Sequence, residues 1–139
     1  MTILQNSPDM TKQRPRVAIV DDDAAVRKSL SLLLDAAAFE TDTYASAADF
    51  LRSLPNGLPH CLIVDLQMPD MTGLELQQHL VDAGIDIPTI AITAHSEFAA
   101  EERCRSAGAR AFLIKPIQDE TLIAAINSIV PGIATGANT

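Results

Sequence analysis

Six residues in this chain combine acid, hydroxyl and ammonium chemistry in a repeated setting. Asp21, Asp22 and Asp23 follow the apolar run RVAIV at 16–20. Asp65 follows CLIV at 61–64, Thr93 closes IPTIAIT at 87–93, and Lys115 follows AFLI at 111–114. Carboxylates gathered in a small space raise one another's pKa unless a cation sits among them. An all-oxygen donor set without His or Cys selects a hard ion. Mg²⁺ fits best, because it takes few protein ligands and keeps positions for water and phosphate oxygens. A phosphoryl group beside it would find a hydroxyl donor in Thr93 and a compact positive charge in Lys115. Taken singly, each residue has an ordinary reading: the acids cap a helix, Thr93 is a strand residue, Lys115 is solvated. Their joint placement at the ends of four apolar runs is the informative signal.

The runs themselves predict the elements that position these residues. RVAIV, CLIV, IPTIAIT and AFLI read as buried strands, and FETDTY at 39–44 alternates as a half-buried one. Helical spacing appears between them. Val26, Leu30, Leu33 and Leu34 share one helix face; Ser46 and Asp49 form a capping-box pattern opening a second helix; Thr72 and Glu75 open a third, which Gly84 stops. Ala100, Cys104 and Ala107 point inward on a fourth helix, and Leu122, Ile126 and Ile129 on a fifth. Strands that are apolar on both faces and alternate with helices predict a parallel sheet with crossover helices, a doubly wound α/β domain. In such a sheet the strand C-ends share one edge, where ligands bind. The acids, Thr93 and Lys115 are therefore expected on one edge.

Bulk properties bound the function. With 139 residues and 47% hydrophobic content, the chain suits a single domain with a real core. A net charge of −8 repels a phosphate backbone, and no Trp with a single Tyr leaves no base-stacking platform. Direct nucleic-acid binding is therefore not expected. No apolar run is long enough to span a membrane, and the N-terminus lacks the pattern of a secretory signal. Cys61 and Cys104 form no CxxC pair and read as small buried hydrophobes in a reducing cytoplasm, the expected location. Residues 1–15 read as a flexible arm and 131–139 as a frayed tail, leaving 16–130 as the domain.

In combination, the segments VDDD, LIVDLQMPDMTG, TIAITAH and FLIKPI resemble the signature segments of response-regulator receiver domains of two-component signalling. The flavour is closest to receivers of FixJ-type regulators. The resemblance covers roughly 16–130 and implies a flavodoxin-like (βα)5 fold with strand order 2-1-3-4-5. It implies that Asp65 accepts a phosphoryl group from a sensor histidine kinase or phosphotransfer protein. Asp22, Asp65 and the backbone carbonyl of Gln67 would hold Mg²⁺, with Asp21 acting mainly through a metal-bound water. Thr93 and Phe112 match the switch pair, and Lys115 the lysine that pairs with phosphoryl oxygens, its bond to Pro116 expected to be cis. Gln67 and His95 match positions that tune phosphate lifetime. The readout would be a changed face of the fourth helix, fifth strand and fifth helix, controlling a homodimer or an output protein. Such a chain catalyses only its own phosphorylation and dephosphorylation.

One departure from the family pattern is Ala38, where many receivers carry Gly. Were φ positive there, Ala would cost roughly 1 kcal/mol. Two other functions compete. A phosphatase with an aspartyl nucleophile needs a second acid two residues on as general acid/base, and that position is Gln67. A phosphate-independent adaptor usually loses an acid, the Thr or the Lys, and none is lost here. The sequence leaves open whether the chain is a stand-alone receiver or the receiver piece of a longer regulator.

Overall fold

The computed structural model describes residues 14–95 and 98–130. The expected tail and the first thirteen residues of the expected arm lie outside them. Five parallel strands, β1 (Arg16–Val20), β2 (Glu40–Tyr44), β3 (Cys61–Asp65), β4 (Thr89–Thr93) and β5 (Ala109–Ile114), form one sheet in the order β2-β1-β3-β4-β5. They alternate with α1 (Ala24–Ala36), α2 (Ala47–Ser53), α3 (Gly73–Asp82), α4 (Phe98–Ser106) and α5 (Asp119–Ile129), with a short 3-10 turn, Leu54–Asn56, after α2. The fold is the doubly wound, flavodoxin-like (βα)5 arrangement.

Side chains alternate across a strand, so parity assigns each strand residue to a face. Val17, Ile19, Cys61, Ile63, Ile90 and Ile92 pack with Leu30 and Leu34 of α1 and Leu122 and Ile126 of α5. Ala18, Val20, Leu62 and Val64 pack on the other face with Phe50 of α2 and Leu76 and Leu80 of α3. A smaller cluster on that second face joins Ala91 and Ala109 to Leu66 and to Cys104 of α4, with Leu74 and Phe112 against it. No helix among the described residues is long and apolar enough to cross a membrane.

Helix ends follow local chemistry. Asp23 is the N-cap of α1, its carboxylate accepting from the Ala25 and Val26 amides. Thr72 and Glu75 make the full reciprocal box at α3. At α2 the box is half made. Ser46 accepts from the Asp49 amide, but the Asp49 carboxylate pairs with Arg52 instead of returning to the cap. An Asp is one methylene shorter than the Glu or Gln that normally reaches back. β5 starts two residues earlier than the apolar run, at Ala109. Thr89 pairs with Ala109 and Ile90 with Ala111, so Arg110 is accommodated at a register shift. Ala38, after α1, has φ 73°.

Candidate functional site

The same parity that builds the core delivers the site. Asp21 continues the Val17–Ile19 alternation, Asp65 that of Cys61 and Ile63, and Lys115 that of Ala111 and Leu113, which face α1 and α5. Thr93 shares the opposite parity with Ala91, and Ala91 is paired in register with Phe112. Two carboxylates and the lysine thus emerge on the α1/α5 side, and the hydroxyl and the aromatic residue on the α4 side.

The charged half is tightly drawn. One carboxylate oxygen from each of Asp21, Asp22 and Asp65 lies within 4.8 Å of the other two. Asp21 is fully buried and Asp65 is 3% exposed, while Asp22 is open to solvent. Lys115 Nζ donates to Asp21 Oδ2 at 3.0 Å and sits 3.6 Å from Asp65 Oδ2. Asp21 Oδ1 also accepts from the Asp23 amide at 2.9 Å, and Arg27 Nη1 donates to the Asp21 carbonyl at 2.7 Å. The Lys115–Pro116 peptide bond is cis.

Burial holds the Asp65 carboxyl above the ordinary range, and the Asp21 charge pushes it further. The Gln67 amide and the Lys115 ammonium only partly offset this. Burial alone would lower the Lys115 pKa. The hydrogen bond and charge of Asp21, with those of Asp65, outweigh it and hold the ammonium above its usual value. One ammonium among three carboxylates leaves the cluster short of positive charge. The donors are all hard oxygens and one acid is solvent-facing, so the arrangement suits a hydrated divalent cation such as Mg²⁺.

The loop after β3 shapes the approach to Asp65. Asp70 takes φ 67°, and the α3 N-terminus comes so near that a Cβ on Gly73 would lie 2.4 Å from the Asp65 carbonyl oxygen. Gly73 is thus required by close approach, a constraint that the motif alone did not explain. Gln67 is exposed, yet both ends of it are engaged. Its amide donates to Asp65 Oδ1 at 3.2 Å, and its Oε1 accepts from Thr93 Oγ1 at 2.7 Å and from the Ala94 amide at 3.3 Å. Thr93 Oγ1 in turn accepts from the His95 amide at 3.1 Å. The His95 position therefore enters through its backbone. Phe112 is half-buried against the cluster that contains Cys104. Sequence reading assigned Gln67 its carbonyl and a place near the phosphate; the bond from its side chain to Thr93 had no signal in residue type or spacing.

Three further reactive side chains serve the fold. His60 Nδ1 accepts from the Arg16 amide at 2.9 Å. Burial pushes the Cys61 thiol up to about 12 and raises that of Cys104, which keeps both as thiols.

A parallel (βα)5 sheet with an acidic pair, a strand-end Asp, a Thr and a Lys at its C-terminal edge is the architecture of a receiver-type signalling domain. The profile described as "Response regulator receiver domain" matches residues 17–127. This chain belongs to that family of two-component systems, whose members are signalling proteins rather than classical enzymes. It is 42% identical over 110 residues to the transcriptional regulatory protein FixJ of Rhizobium meliloti (strain 1021), covering 79% of this chain and 54% of that protein. It is 36% identical over 119 residues to the response regulator protein TmoT of Ectopseudomonas mendocina, covering 86% of this chain and 54% of that protein. The chain thus spans about half the length of these curated relatives. The crystal structure of FixJ-N superposes with a TM-score of 0.78 at 39% identity, covering 84% of this chain and 94% of that one. The response regulator StyR superposes at 0.79 with 38% identity, covering 90% of this chain and 63% of that one.

Proposed function

We propose that the chain is a phosphorylation-activated switch, with its receiver domain over 16–130, flanked by an arm at 1–15 and a tail at 131–139. Asp65 accepts a phosphoryl group from a sensor histidine kinase or phosphotransfer protein. The observation that carries this reading is the strand-end cluster itself: a buried Asp65 within reach of Asp21, Asp22 and the Lys115 ammonium.

Asp65 is held rigidly at the end of β3, so an oxygen of its carboxylate can attack phosphorus in line while the donor nitrogen leaves. Asp22, Asp65 and the Gln67 carbonyl would hold Mg²⁺, and Asp21 would act on it through water. The ion would supply neutralisation of charge on the phosphoryl oxygens. Lys115 adds positive charge on the same group, exchanging part of its contact with Asp21 and Asp65 for it. The new acyl phosphate brings about −2 in charge and strong acceptors. Thr93 is drawn to donate to them, Phe112 turns into the space released, and the face of α4, β5 and α5 changes. β5 is an edge strand that carries Phe112 on its α4 side, and α4 carries the mixed charges Glu101, Glu102, Arg103 and Arg105. A face of that composition suits a small, reversible contact with a second copy or an output protein. Gln67 and His95 flank the site and tune how long the phosphate lasts.

Incubation with a small acyl-phosphate donor and Mg²⁺, read by intact mass, tests this directly. One stable phosphoryl group per chain is expected. Rapid turnover of the donor without a labelled chain would favour a phosphatase, and no reaction at all an adaptor. Light scattering with a beryllofluoride mimic tests assembly: a mass that stays monomeric at tens of micromolar, on the order of a weak transient affinity, would remove the homodimer and leave a separate output partner.

A further inference from the structure

We propose that the Gln67 side chain is a latch on the switch hydroxyl. In the unphosphorylated protein it occupies the Thr93 hydroxyl and the adjoining Ala94 amide, and it must release them before Thr93 can serve a phosphoryl group. The inference rests on the functional reading of Asp65 and Thr93 given above.

Hydrogen-bond directions follow from donor inventory alone. The Ala94 amide can only donate, so the Gln67 atom it faces at 3.3 Å is the oxygen. The His95 amide can likewise only donate, and it fills an acceptor position on Thr93 Oγ1 at 3.1 Å. The single hydroxyl proton of Thr93 is therefore committed to Gln67 Oε1, 2.7 Å away. While that bond stands, Thr93 has no proton to offer elsewhere. Gln67 is an exposed residue with a long side chain, which would otherwise keep its rotamer freedom. Two convergent donors hold it, and its own amide holds Asp65 Oδ1 at 3.2 Å. One residue therefore bridges the phosphoacceptor and the switch hydroxyl. A neutral carboxamide oxygen is a weaker acceptor than a charged phosphoryl oxygen. The donors stay on Gln67 until phosphate arrives and then exchange. A ligand that must first break this bond binds with an apparent affinity lowered by the fraction of protein already unlatched.

The test compares wild type and Gln67→Ala as full chains at saturating Mg²⁺, titrated with beryllofluoride and followed by amide NMR. Gln67→Ala is expected to take the mimic about fivefold more tightly, the equivalent of one hydrogen bond. In a Thr93→Val background, where no hydroxyl remains to be held, the same substitution should change affinity by less than about twofold. Before any mimic is added, the Ala94 and His95 amide signals should shift in Gln67→Ala. Equal or weaker binding by Gln67→Ala would overturn the latch, as would unmoved Ala94 and His95 signals. Failure of the wild type to take the mimic at all would instead overturn the reading of Asp65, while the phosphate-free spectra would still report on the bond between Gln67 and Thr93.

Discussion

The two faces of the sheet carry different kinds of half-site. Toward α1 and α5, Asp21, Asp65 and Lys115 stand on an extensive apolar cluster and hold one another by charge. Toward α4, Thr93 and Phe112 stand on a small one, and Cys104 is the only buried residue among the described side chains of α4. The seam between α3 and α4 is completed by Gln77, whose Nε2 donates to the Cys104 carbonyl at 3.3 Å. The first half is anchored and prepared for chemistry. The second is lightly held, as the proposed switch would require. Gln67 joins them.

The largest expected effect is on stability. Ile126→Ala in α5 removes a fully buried side chain and should cost about 3 kcal/mol in urea unfolding, whereas Cys104→Ala in α4 should cost about 1 kcal/mol. Equal costs would break the contrast between an anchored and a lightly held side. The next effect is on the metal. Asp22→Ala should weaken Mg²⁺ binding by more than about tenfold, and Asp21→Ala somewhat less, because Asp21 is proposed to act through water and is already engaged by Lys115. Amide shifts on Mg²⁺ titration check both, and unchanged affinity in both would reduce the acids to helix-capping residues. Ala38→Gly should stabilise the protein by about 1 kcal/mol by relieving the positive φ at the end of α1. Neither Mg²⁺ binding nor the α4 side should respond to it.

The smallest effect concerns the cost of the charged half itself. The folded pKa of Asp65 lies above its unfolded value, so the folded state binds the extra proton between the two. Stability attached to that proton is present below the unfolded value near 3.8 and is lost as pH rises through the folded value. Without metal, Asp65→Asn should therefore raise the urea midpoint at neutral pH and lose that advantage in acid. Mg²⁺ at ten times its Kd should stabilise the wild type by about 1.4 kcal/mol and reverse the order. A neutral-pH midpoint unchanged by the substitution would mean that the cluster carries no strain of charge.

The charged half was legible in the sequence because strand ends are a one-dimensional signal. Apolar runs that stop on Asp65 or before Lys115 place those residues on an edge before any coordinates exist. The Thr72–Glu75 box was readable for the same reason: its partners are three residues apart. What escaped depends on distance across the chain or on side-chain reach. The bond from Thr93 to Gln67 spans 26 positions. The requirement for Gly73 comes from the backbone of Asp65 passing beneath it. Asp49 matched the box by type and spacing and failed by one methylene, while Asp23, not the acidic pair before it, took the cap of α1. The early start of β5 was hidden by Arg110, an exposed charge that lies at a register shift of this edge strand.

The proposal for Asp65 is that this buried acid, and no other of the cluster, takes the phosphoryl group. Its most direct test is intact mass and peptide mapping of wild type and Asp65→Asn after exposure to a small acyl-phosphate donor with Mg²⁺. The prediction is one phosphoryl group on the wild type, carried by the peptide containing Asp65, and none on Asp65→Asn, since an amide is not a competent nucleophile. Labelling of Asp65→Asn at the wild-type rate, or a label mapped to Asp21 or Asp22, would contradict it.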